Sequence, residues 1–200
     1  MRRKRKATPD RKRSDLDEAL EALDAGELRE VVREVLLELD DRAHGRVVTS
    51  LIKRAVRGRS GWAPAAPSGE KVEEVVAFAE AAKRVGYADP SDVDDHLSRG
   101  SAAFIGKEYV AAHRMLGALL RPIAEVEIDL GQHEMVDEVL GVDTRACVAQ
   151  FVASAYMISP PEQRAQAVRA AIDETDGICY FMEPIRDMER AAVEPLPELG

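Results

Sequence analysis

The stretch Leu28-Arg29-Glu30-Val31-Val32-Arg33-Glu34-Val35-Leu36-Leu37-Glu38-Leu39 decides the reading of the fold. Its apolar residues at Leu28, Val31, Val32, Val35, Leu36 and Leu39 fall at offsets 0, 3, 4, 7, 8 and 11. That spacing puts them on one face of an α-helix and does not suit a strand. Working outward, Ser14-Asp15-Leu16-Asp17 supplies a capping serine and first-turn acids for a short helix carrying Leu16, Leu20 and Leu23. On the other side, residues 43 to 57 predict a third helix with Val47, Val48, Leu51, Ile52 and Ala55 inward.

Residues 58 to 69 hold three glycines and two prolines, which neither a helix nor an inner strand tolerates, so they read as a linker. Helices are expected beyond it over 70–85, ended by Gly86, and over 90–105, opened by Asp89-Pro90-Ser91-Asp92. The next helix is expected over 109–120, halting at Pro122. Residues 123–131 alternate polar and apolar but have no evident partner strand, so they read as an extended loop. Further helices are expected over 132–140, 144–158, from the capping box Ser159-Pro160-Pro161-Glu162 to about 175, and over 184–193. The expected fold is all-α and built of antiparallel helix pairs. It divides into an arm (1–13), a small three-helix unit (14–57), the linker (58–69), a helical-repeat-like domain (70–193) and a tail (194–200). The abrupt end of that tail allows a longer natural chain.

Residues 97–122 resemble a tetratricopeptide repeat, the helix-turn-helix unit of about 34 residues. Gly100, Ala102, Phe104, Tyr109, Ala112, Leu116, Leu119 and Pro122 fall close to its small and large positions. The resemblance implies that Gly100 and Ala102 let a second helix approach, that Ala112 faces Gly100, and that Phe104 and Tyr109 fill the turn. The turn glycine is displaced to Gly106, with Lys107 in its place. The likeness covers about 26 residues and no second copy is evident. Residues 16–57 are loosely similar to the helical region that follows the zinc-binding SWIM module of some bacterial proteins. No zinc-ligating cysteine motif accompanies them, so no zinc function carries over.

The charge is divided unevenly along the 200-residue chain, whose net is −9. Arg2, Arg3, Lys4, Arg5, Lys6, Arg11, Lys12 and Arg13 give the first thirteen residues +7, whereas the rest carries −16. The arm has too few apolar residues to build a core and is expected to be disordered. A second basic block follows at 42–59, where Arg46, Lys53 and Arg57 share a helical stripe expected opposite the apolar face. Arm and stripe together would suit sequence-indifferent phosphate contact. The competing reading pairs the stripe with the acids of residues 14–41, eleven against Arg29 and Arg33.

Chemistry candidates are few. His133 and Asp137 are four apart, a spacing that would let them share a divalent ion, with Glu134 as a base. The second histidine of the zinc pattern is missing, and a solvated face explains the cluster as well. Cys147 and Cys179 read as core thiols. No phosphate loop, dinucleotide fingerprint or nucleophile elbow occurs, and no cofactor is expected. No apolar run reaches the ~20 residues of a membrane helix and none follows the basic start as a signal would. Two cysteines make no disulfide framework, so a reducing cytoplasm is the expected compartment, and abundant Ala, Arg, Val and Asp hint at a bacterial source. The expectation is a non-enzymatic adaptor that binds a protein partner in a helical groove. A nucleic-acid accessory protein comes second and a metal-assisted hydrolase a distant third.

Overall fold

A computed structural model describes residues 15–58, 62–131, 135–178, 188 and 196–197. Among these the fold is all-α: nine α-helices, one short 3-10 turn and no strand. The chain divides into two compact units at Leu39 and Asp40. The basic arm and residues 184–193, apart from the buried Met188, lie outside the described residues.

The first unit contains α1 (Asp15–Ala22) and α2 (Ala25–Glu38). Asp24 caps α2, accepting from the amides of Gly26 and Glu27, while Glu27 accepts from the Asp24 amide. This capping box fixes the start of α2 three residues before the hydrophobic periodicity begins. Within the first unit the apolar face that defined the helix is left open. No residue of α2 is buried; Val31, Val32 and Val35 are exposed and Leu28, Leu36 and Leu39 only half-buried.

The second unit begins with α3 (Asp41–Arg57), capped by Asp40 through the Ala43 amide at 2.7 Å. Sequence composition places the boundary in 58–69, whereas contacts put α3 with the helices that follow it. It packs on α5 (Pro90–Ile105). Its inward face also differs from expectation. Val48 and Ile52 are half-buried, but Val47 and Leu51 are exposed, and Lys53 is half-buried. The helix is rotated about its axis, so Lys53 of the basic stripe borders the packed face while Arg46 and Arg57 stay exposed.

The core lies among α4 (Gly69–Val85), α5, α6 (Tyr109–Ala124), α8 (Thr144–Ile158) and α9 (Arg164–Asp173). Gly86, at φ +76°, ends α4 as its sequence position implies. Asp89 caps α5 through the Ser91 amide at 2.9 Å, with Pro90 at the first helical position. Within the pair, Gly100 is pressed on Leu116, whose Cγ would lie 2.8 Å from an added Cβ, so Leu116 and not Ala112 is its nearest neighbour. Phe104 and Tyr109 meet edge-on at 5.4 Å. Ala102 is half-buried and lies beside the extended segment of Ala65, Ala66 and Pro67. Lys107, between α5 and α6, takes the left-handed conformation, φ +67°.

Three local expectations are corrected. Pro122 does not halt α6, which runs on to Ala124. A proline in a last turn removes a single hydrogen bond, and its carbonyl is reused by the amides of Glu127 and Ile128 at 2.8 and 3.2 Å. Residues 125–131 are not a free loop, because Asp129 forms an isolated parallel bridge with Tyr87. The helix after Ser159 opens as a 3-10 turn, Pro161–Gln163, without a side-chain cap. Of the helix expected over 132–140, the described part is only α7 (Val136–Val139).

Candidate functional site

Polar side chains of the second unit line a cleft of about 450 Å³. One wall is α3, which contributes Arg46, Thr49, Ser50 and Lys53. The other is the approach to α8, with Asp137, Gly141, Val142, Asp143, Thr144 and Arg145. That wall is held from behind. The Asp94 carboxylate on α5 accepts from the amides of Gly141 at 2.7 Å and Val142 at 3.1 Å. Asp143 then caps α8 through the Ala146 amide at 3.0 Å. Two carboxylates thus fix a helix N-terminus, the positive end of its dipole, facing the basic stripe.

Thr144, the first helical residue, is 2% exposed, and its hydroxyl has no hydrogen-bond partner. Burial without a partner is costly for a hydroxyl. On the opposite wall, no ion pair joins Arg46 or Lys53 to an acid among the described residues. Ion pairs of this unit include Arg99–Glu74, Arg114–Glu73 and Arg121–Glu174, at 2.7 to 2.9 Å.

The stripe read from sequence therefore splits. Arg46 and Lys53 share the cleft, whereas Arg57 is exposed in the last turn of α3 and lines none of it. Arg2 to Arg13 and His133 lie outside the described residues. Asp137 is exposed at the cleft. No group of three His, Cys, Asp or Glu is placed to hold a metal among the described residues. Cys147 is buried, and Cys179 lies outside the described residues. Thr144, Arg145 and Asp94 were not singled out from sequence. Asp143-Thr144 after Gly141 is a helix start, but only the fold brings it opposite α3.

A second cluster invites a catalytic reading and does not sustain one. Ser154 Oγ lies 3.4 Å from His113 Nδ1, yet the hydroxyl donates to the Phe151 carbonyl at 2.7 Å and the residue is wholly buried. The His113 ring stacks on Phe151 at 4.6 Å, and Arg121 lies 5.1 Å from the same ring. Burial, helped by Arg121, holds His113 below its ordinary pKa, so the imidazole is neutral packing.

Compared with known proteins, the chain matches no family model, no curated protein and no solved structure. No helix among the described residues is long and apolar enough to cross a membrane.

Proposed function

We propose that the protein is a non-enzymatic adaptor, and that α1 and α2 form its docking surface for a basic amphipathic helix of a protein partner. The carrying observation is the uncovered apolar stripe of Val31, Val32 and Val35. A 14-residue helix is marginal in water by itself, and its stability comes from burying such a face. The acids of this stretch, eleven in residues 14–41 of the sequence, favour a cationic occupant and disfavour a second copy of the same acidic segment. The hairpin of residues 97–122, the other surface considered for docking, supports this reading less well. The chain's own 64–67 segment lies against α5, with the Pro64 carbonyl 3.3 Å from a Cβ built at Gly106.

The test uses full-length protein and a fluorescently labelled Lys/Leu peptide designed as an amphipathic helix, with a scrambled peptide of equal charge as control. Anisotropy should report binding to the designed peptide, with affinity falling at least tenfold for Val32→Asp combined with Val35→Asp. Equal binding of the scrambled peptide, or a stable dimer in sedimentation velocity, would overturn the reading.

Nucleic-acid contact is a second reading, favoured by the lack of an acidic ion-pair partner for Arg46 and Lys53 among the described residues. Deleting residues 1–13 should then weaken binding to a mixed-sequence oligonucleotide and flatten its salt dependence. Equal affinity and equal slope without the arm would dismiss it.

A further inference from the structure

We propose that the cleft between α3 and the start of α8 is a binding site for a terminal phosphate group, held by Arg46, Lys53 and the first turn of α8. This site does not depend on either functional reading above. A helix N-terminus gathers amide donors and partial positive charge, which suits an oxyanion. That alone is common to every helix. Here a second feature adds to it: the buried Thr144 hydroxyl, without a partner, in the same wall. Gln150 and the Nδ1 of His96 are also buried without partners, but neither residue lines this cleft.

The charges suit a phosphate better than a carboxylate. Three cationic side chains line the cleft, Arg46 and Lys53 from one wall and Arg145 from the other. Arginine and lysine donors to an anionic oxygen give the stronger, charge-assisted class of hydrogen bond. A phosphomonoester offers three terminal oxygens to donors from both walls, whereas a carboxylate offers two. The opposing charges are Asp137 and Asp143. Asp143 is turned to its own helix through the Ala146 amide, which leaves Asp137 as the outward carboxylate of the lining. Asp94 keeps the wall in place without lining this cleft, because its two oxygens hold the Gly141 and Val142 amides.

The experiment uses the full chain and three probes: inorganic phosphate, a short oligonucleotide bearing a 5′-phosphate, and the same oligonucleotide with a 5′-hydroxyl. Phosphorus NMR line broadening and thermal shift at constant ionic strength are the readouts. Inorganic phosphate and the 5′-phosphorylated strand should bind, and the 5′-hydroxyl strand at least tenfold more weakly. Arg46→Ala with Lys53→Ala should lower phosphate affinity at least tenfold with an unchanged melting curve in phosphate-free buffer. Thr144→Val should lower it several-fold, Thr144→Ser should retain most of it, and Asp137→Asn should raise it. The same response to sodium chloride as to phosphate, or affinity unaltered by the double substitution, would overturn the site. Equal binding of the two strands would overturn its specificity for a terminal phosphate and leave a backbone diester as the ligand.

Discussion

Two helices of this chain, α2 and α8, are both rich in apolar residues and come to different ends. In α2, Val31, Val32 and Val35 stay exposed and no residue is buried. In α8, eleven residues are buried, with Phe151, Val152 and Ala153 fully excluded from water. The difference lies in what surrounds each helix. The apolar character of α8 extends around its whole circumference, with Cys147, Val148, Phe151, Val152 and Ala155 meeting α5, α6 and α9. The stripe of α2 is narrow, and charges occupy the rest of the helix. Periodicity specifies that a face will be covered; it does not say by which chain.

Core truncation tests that contrast most strongly. Phe151→Ala removes a wholly buried ring that packs on His113 and Arg121, and should cost about 4 kcal/mol in denaturant unfolding. Val35→Ala, on a side chain 51% exposed, should change stability by less than about 0.5 kcal/mol. A large loss at Val35 would show that α2 is buried in solution.

Asp94→Ala comes next. It strands the buried amides of Gly141 and Val142, and should cost about 2 kcal/mol. Hydrogen exchange at those two amides should rise with it, while exchange in α2 is unaltered.

Mild acid gives a smaller effect, carried by two histidines of the second unit. His96 and His113 both sit below their ordinary pKa, mainly because burial disfavours the charged ring and secondly because Arg99 and Arg121 lie near them. The unfolded chain titrates near the ordinary value of about 6.5, so it binds more protons than the folded chain below that pH. Stability should be intact above about pH 6.5 and decline as the pH falls through the window beneath it. His113→Leu should flatten that decline. Glu74, whose carboxyl is held low first by its hydrogen bond to Arg99 and then by the charge of Arg99, adds its own loss only in the more acidic carboxylate range.

One expected change is a gain. Lys107 occupies a left-handed conformation between α5 and α6, which glycine adopts at less cost. Lys107→Gly should stabilise the second unit by about 0.5–1 kcal/mol in the same unfolding measurement, with no effect on α2.

Helix identity was readable from sequence wherever capping and periodicity agreed. Asp89-Pro90 and Gly86 behave as their residue types require, because the forces that place them act within a few residues. Failures occurred where distant contacts decide. The rotation of α3, which exposes Val47 and Leu51 and turns Lys53 inward, follows from packing on α5, more than thirty residues away. Pro122 reads as a stop locally, yet the return of residues 127 and 128 to its carbonyl lets α6 continue. The candidate site was half legible. Arg46 and Lys53 stood out as cations without adjacent acids. Thr144 is an ordinary residue until the Asp94 contact shows where its helix begins and which wall it joins.

Every aromatic residue of the chain lies at Trp62 or beyond, and the sole tryptophan sits 48% exposed on the extended segment before α4. Intrinsic fluorescence and near-ultraviolet dichroism are therefore silent on α1 and α2, whereas far-ultraviolet dichroism registers every helix. The two signals should give non-coincident melting transitions when the N-terminal helices unwind separately, and the early, optically dark transition should move onto the later one when a partner helix covers the valine stripe.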